Sequence, residues 1–346
     1  MMDFEQKETV NGVSFSPRYG FSTPTPPEKA EKRAVRTAGN GIGLACLGYV
    51  VLSSFVGSLL FVLSDWISVL FQSPVYFADT EVGYYTLTIL IYVVSLLLPF
   101  GLYALTLKIP FKTVLPFRKS PLSLTVSGAM VAFGTAILAG YLTRMLSLAL
   151  TLFGIVATEP ELYTPTTTVG KIAYLLTTVL LPAFIEEIAF RGFLLQSLRR
   201  FGDTFALILS ALTFGVFHMN LVQAPYAFLM GLCIDYFVLR TGSLWVGVWI
   251  HLINNGLVTL LELLSPVLSP ETYLLLNVFY NVFALLVGLL GVLLLVKNHE
   301  DSFSLAPSPS VLSPGERAKA FLLSPGMLLA LLVAAVSTVQ TLETLW

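Results

Sequence analysis

The chain is built mostly from long apolar runs separated by short polar stretches. The runs lie at about 41–64, 84–107, 121–155, 170–198, 204–218, 224–239, 243–263, 273–296 and 325–345. A helix needs about 20 apolar residues to cross a bilayer core, and most of these runs are that long. Between 84 and 107 no charged residue occurs at all. The last run is the weakest, because Pro325 and Gly326 interrupt its start. The pattern predicts an all-α fold, a polytopic transmembrane helical bundle of about eight to nine spans. Residues 1–38 are polar, contain several prolines and turn basic near their end (Lys29, Lys32, Arg33, Arg36). They lack the short apolar core and cleavage site of a signal peptide and read as a mostly disordered cytoplasmic tail.

Composition agrees with the pattern. Hydrophobic residues make up 56% of the chain and charged ones 11%, against roughly 25% charged in a soluble domain. A net charge of −1, with no basic stripe and interleaved aromatics, gives no sign of nucleic-acid binding. The two cysteines, Cys46 and Cys233, both lie in apolar segments, so neither a disulfide framework nor a Cys-rich zinc site is expected.

Charge placement then sets an orientation. With the N-terminus cytoplasmic, 16 of the 19 Lys and Arg fall on the inner side, in the tail, at 108–119, at 199–200, at Arg240 and at 297–319. Asp79, Glu81, Glu159, Glu161 and Glu271 fall in outer loops. This satisfies the positive-inside rule, and an error of one early span would have scrambled it. The expected location is the cell membrane, as a multi-pass protein. No internal repeat of the transporter kind is visible.

Ionisable groups inside spans are costly, which makes each one a functional hypothesis. Glu186, Glu187, Arg191, His218, His251 and Asn255 stand out. Glu187 and Arg191 are four residues apart on one helix face and can pair; alone, they could be a structural ion pair. Glu186 sits about 100° round the helix from Glu187, so one arginine cannot serve both carboxylates equally. That leaves Glu186 available for general acid or base work. His251 and Asn255 also share a face. Depth links the separate segments: at about 1.5 Å rise per residue, Glu186 and His218 lie roughly 20 Å from the inner boundary, Asn255 roughly 22 Å and His251 roughly 16 Å. The segment 203–239 must go out and back in 37 residues, so its arms are too short to cross fully and its turn near Met219–Asn220 should sit below the outer surface. Asp235, near the inner end, is expected to contact water, Arg144 to snorkel outward, and Asn277 and Asn281 to bind helices together.

A carboxylate and an imidazole meeting at a water can make a nucleophile of it, and a His with an Asn can stabilise an oxyanion. The same Glu186, His218 and His251 could instead hold a divalent metal such as zinc. No His-Glu-x-x-His motif, Gly-x-Ser-x-Gly elbow or intramembrane aspartate pair is present.

Glu186-Glu187-x-x-x-Arg191-Gly192, Phe214-x-x-x-His218 and His251-x-x-x-Asn255 resemble the three ordered motifs of the CPBP family. These are the CAAX prenyl endopeptidases and their bacterial relatives, many described as intramembrane metalloproteases or bacteriocin-immunity (Abi) proteins. The stretch from Arg240 to Trp245 is similar to the one that precedes the last motif. The resemblance implies an endopeptidase with a cavity open to the cytosol, acting on a peptide or membrane-protein substrate. It further implies Glu186 as general base, His218 assisting it, His251 and Asn255 at the oxyanion, and Glu187 with Arg191 in support. Both metal-free and metal-dependent chemistry are consistent with it. The chain then divides into the tail at 1–38, N-terminal transmembrane helices at 39–169, a catalytic core at 170–263 and C-terminal helices at 264–346 with a cytoplasmic loop near 298–320. The competing readings are a non-catalytic immunity or scaffold protein of the same family and a proton-coupled carrier.

Overall fold

The computed structural model describes residues 8–10, 13–16, 20–22, 26–73, 75–158, 165–299, 304–306 and 310–344. The helices in chain order are α1 (Pro27–Leu70), α2 (Glu81–Thr106), the short α3 (Phe111–Val114), α4 (Leu122–Leu152), α5 (Thr168–Phe201), α6 (Asp203–Val216), α7 (Gln223–Thr241), α8 (Leu244–Leu264), α9 (Pro270–Asn298), α10 (Pro314–Leu322) and α11 (Pro325–Gln340). Strands β1 (Glu8–Val10), β2 (Val13–Ser16) and β3 (Gly20–Ser22) form a small antiparallel sheet, and β4 (Ile155–Ala157) pairs with β5 (Leu342–Thr344). The expected all-helical polytopic bundle is therefore present. Among the described residues six helices, α1, α2, α4, α5, α8 and α9, are long and apolar enough to cross a membrane, and the α10–α11 pair, bent by 70°, makes a seventh if counted as one span. The remaining apolar runs are α6 and α7, a hairpin of 14 and 19 residues.

Helix α1 corrects the expected extent of the tail. It starts at Pro27, where proline presets helical φ, and so takes in residues assigned from polarity, prolines and basic charge to a disordered segment. Val35 and Ala38 in this stretch are fully buried, because α1 packs along α10 and α11. That apolar stripe has no visible partner until the distant C-terminal helices fold back on it. The three short strands also fall within the expected tail; residues 1–7, 11–12, 17–19 and 23–25 of it lie outside the described residues.

Two features fix the frame around the centre of the bundle. Helices α4 and α9 approach so closely that a Cβ on Gly134 would lie 2.9 Å from the Gly288 Cα, and one on Gly288 2.6 Å from the Gly134 Cα. At one end, the Glu81 carboxylate at the start of α2 accepts hydrogen bonds from the Thr166 backbone N–H at 2.6 Å and from the Thr166 and Thr167 hydroxyls just before α5. The Thr80 and Thr167 side chains cap their own helices, accepting from the Gly83 and Gly170 N–H groups at 3.0 Å. This clasp holds α2 and α5 in register, which matters because each contributes a side chain to the same carboxylate contact.

Candidate active site

Helix α5 carries both glutamates and is not a regular α-helix. It widens into π geometry over Leu176–Leu180 and again over Glu187–Leu195, a distortion common at functional sites. Pro182 contributes to the first: it has no N–H to offer the Thr178 carbonyl one turn earlier. That carbonyl instead accepts from Asn255 Nδ2 of α8 at 3.1 Å. Asn255 Oδ1 accepts from Asn254 Nδ2 at 3.1 Å, and Asn254 Oδ1 accepts from the Tyr226 hydroxyl at 2.7 Å. One N–H of Asn255 thus has a partner, and the amide has a second to offer.

The two glutamates occupy different surroundings. Glu187 is fully buried and its Oε1 meets Arg191 Nη1 at 2.9 Å and His251 Nδ1 at 2.9 Å. Arg191, also fully buried, makes a second ion pair through Nε with Asp235 Oδ1 at 2.8 Å. Its guanidinium lies over the Phe214 ring, 4.1 Å from the centroid, a cation–π contact that satisfies part of a desolvated charge. The other oxygen of Glu187 faces the α8 backbone: a Cβ on Gly247 would lie 2.4 Å from Oε2. Glycine at 247 is therefore what lets α8 close over this cluster.

Glu186 instead keeps 17% of its side chain exposed. Its Oε1 accepts from the Tyr92 hydroxyl of α2 at 2.6 Å, and its Oε2 lies 3.8 Å from His251 Nε2. His251 therefore stands between the two carboxylates. His218, just after α6, has Nδ1 2.7 Å from the Phe214 carbonyl. A carbonyl only accepts, so Nδ1 carries the hydrogen and Nε2 of the neutral ring is left as an acceptor. Phe214 holds both imidazoles edge to face, with centroids 4.7 Å from His218 and 6.3 Å from His251.

Glu186, His218, His251 and Asn255 line one cavity of about 530 Å³. Glu187 and Arg191 do not line it; they sit behind its wall. Two participants were not singled out or were misplaced from the sequence. Asp235 is completely buried against Arg191 instead of contacting water, since α7 turns that face toward α5. Tyr92 had no signal, being one tyrosine in an uncharged apolar span. Asn277 also differs: its amide donates to Tyr273 O of its own helix at 3.1 Å rather than to a neighbouring one.

The cavity's direction differs from the one implied by the family resemblance. Its exposed lining residues Gln223, Val258 and Glu262 lie in the halves of α7 and α8 away from Arg240, toward the side the charge pattern assigns as outer. The adjoining turn reaches the same end, where Asn220 Nδ2 donates to Thr158 O at 3.2 Å. Among the described residues no three His, Cys, Asp or Glu side chains are placed to hold a metal ion. Glu186, His218 and His251 do not form such a set as arranged.

The fold and this buried polar cluster define a multi-pass helical membrane protein with a solvent-connected carboxylate–imidazole site in its core. Residues 168–257 match the family model described as type II CAAX prenyl endopeptidase Rce1-like, which bears out the resemblance carried by the three motifs. No match was found among curated proteins or among solved structures.

Proposed function

We propose that this chain is an intramembrane endopeptidase that hydrolyses a peptide bond of a membrane-associated protein or peptide. Glu186 is the general base. It takes a proton from water while the resulting hydroxide attacks the scissile carbonyl carbon, and the acceptor Nε2 of His218 orients that water. The carbonyl oxygen becomes an oxyanion, to which Asn255 Nδ2–H and His251 donate. For His251 to donate through Nε2 while its Nδ1–H is engaged by Glu187, the ring must be the imidazolium. Glu186 then returns its proton to the leaving nitrogen as the C–N bond breaks. Glu187, Arg191 and Asp235 position the ring and touch no reacting atom.

The observation that carries this reading is that Glu186, His218, His251 and Asn255, drawn from three separate segments, line one cavity while Glu187 and Arg191 are sealed from it. Terminal labelling of membrane proteins tests it, comparing cells that carry the wild-type chain with cells that carry Glu186→Gln. New N-termini present with the wild type and missing with the variant are expected. Identical sets of termini, with both proteins inserted at equal levels, would overturn the assignment and favour a non-catalytic immunity or scaffold role.

A further inference from the structure

A second polar site lies far from the catalytic cavity, at the opposite end of the bundle. Lys29, Lys32, Arg33, Arg36, Thr37 and Asn40 line a groove of about 400 Å³ along α1. It adjoins a cleft of about 320 Å³ that shares Arg33 and Thr37 and adds Leu107 after α2 and Arg200 at the end of α5. Five cations from two distant parts of the chain thus meet in one place. Among the described residues none of the five forms an ion pair with a carboxylate. Two acids beside the groove, Glu31 and Glu316, are turned elsewhere. Glu31 accepts from the Val311 N–H at 2.9 Å, from the Leu312 N–H at 3.3 Å and from the Ser310 hydroxyl. Glu316 serves the capping box of α10, although Lys32 lies within its electrostatic reach.

The α1 surface continues this site in a second chemistry. Leu44 and Val51 are 11 and 18 residues beyond Arg33, which returns them to the same side of the helix at about 100° per residue. Both are exposed, as are Leu102 and Leu105 on the neighbouring α2. One side of α1 is therefore cationic at its start and apolar above it.

We propose that this groove binds the phosphate headgroup of an anionic phospholipid, with its acyl chains running along the exposed face of α1 and α2. A soluble phosphate compound would use the cations and leave the apolar continuation without a role; a phospholipid uses both. Basic pockets between membrane helices recognise such headgroups, at about 1 kcal/mol per cation near the surface.

Native mass spectrometry of the full-length chain in mild detergent tests this with dioleoyl phosphatidylglycerol, dioleoyl phosphatidylcholine and glycerol 3-phosphate as probes. The wild type should retain phosphatidylglycerol over phosphatidylcholine, and the double variant Arg33→Gln/Arg36→Gln should bind it roughly thirty-fold more weakly. The charge-keeping Arg33→Lys/Arg36→Lys should retain it, which separates lost charge from lost folding. Lys112→Gln/Lys119→Gln, which removes two cations outside the groove, should leave retention unchanged. The proposal fails if the wild type shows no preference between the two lipids, or if the Lys112/Lys119 pair weakens retention as much as the Arg33/Arg36 pair. It also fails if glycerol 3-phosphate binds as well as the lipid, which would make the ligand a soluble phosphate.

Discussion

Glu186 and Glu187 are consecutive residues of one helix, and they end in opposite environments. Glu187 is sealed from solvent, held by Arg191 and His251 and pressed against the backbone at Gly247. Glu186 keeps a solvent-connected edge and takes one hydrogen bond from Tyr92. The contrast shows how a membrane core holds a reactive carboxylate. A buried cluster with nearly all of its charges paired fixes the geometry, and the group left for chemistry is the one outside that cluster. Removing a partner of a buried charge pair is expensive because the remaining charge is left uncompensated. Removing a cavity-lining group is cheap for folding and costly for the reaction.

Four substitutions separate the two roles. Glu186→Gln should lower peptide-bond hydrolysis by roughly 10²–10⁴-fold with no loss of thermal stability in detergent. A parallel fall in melting temperature would put Glu186 among the structural group. Arg191→Ala should do the reverse, costing about 3–5 kcal/mol of stability because Glu187 and Asp235 lose their shared cation; a shifted unfolding transition or poor recovery after extraction would register it. Wild-type stability in this variant would mean the cluster does not hold the site together. Tyr92→Phe should be milder. It removes one hydrogen bond to a charged group, worth about 1.5–3 kcal/mol, so kcat should fall about ten- to hundred-fold while KM changes little. A KM effect alone would place Tyr92 in substrate contact instead. Gly247→Ala is expected to be the smallest, about 1–3 kcal/mol from overpacking, as the new methyl displaces Glu187 Oε2. Because the strain falls on the buried carboxylate, stability should drop along with activity.

The apolar runs were enough to place the long helices, but not α10, most of which lies in the stretch expected to be a cytoplasmic loop. Their ends moved by a few residues, with the larger changes at α1, which begins at Pro27 and continues to Leu70, and at the C-terminal run, which ends at Gln340. Helical rise and the positions of boundary arginines were also enough to bring Glu186, His218, His251 and Asn255 to a common depth, since depth along a helix is set locally by residue count. Rotation about the helix axis and the identity of the facing residue are not local quantities. The burial of Asp235 against Arg191 depends on how α7 is turned toward α5. The bond from Tyr92 depends on the Glu81 clasp holding α2 beside α5, and the mouth of the cavity depends on which helix ends splay apart. The sequence by itself determined that this is a helical membrane protein with a Glu-Glu-x-x-x-Arg motif and two histidine motifs in its core. Only the tertiary structure decided which glutamate is sealed and which faces the cavity, because that choice lies with side chains reaching in from α2, α7 and α8.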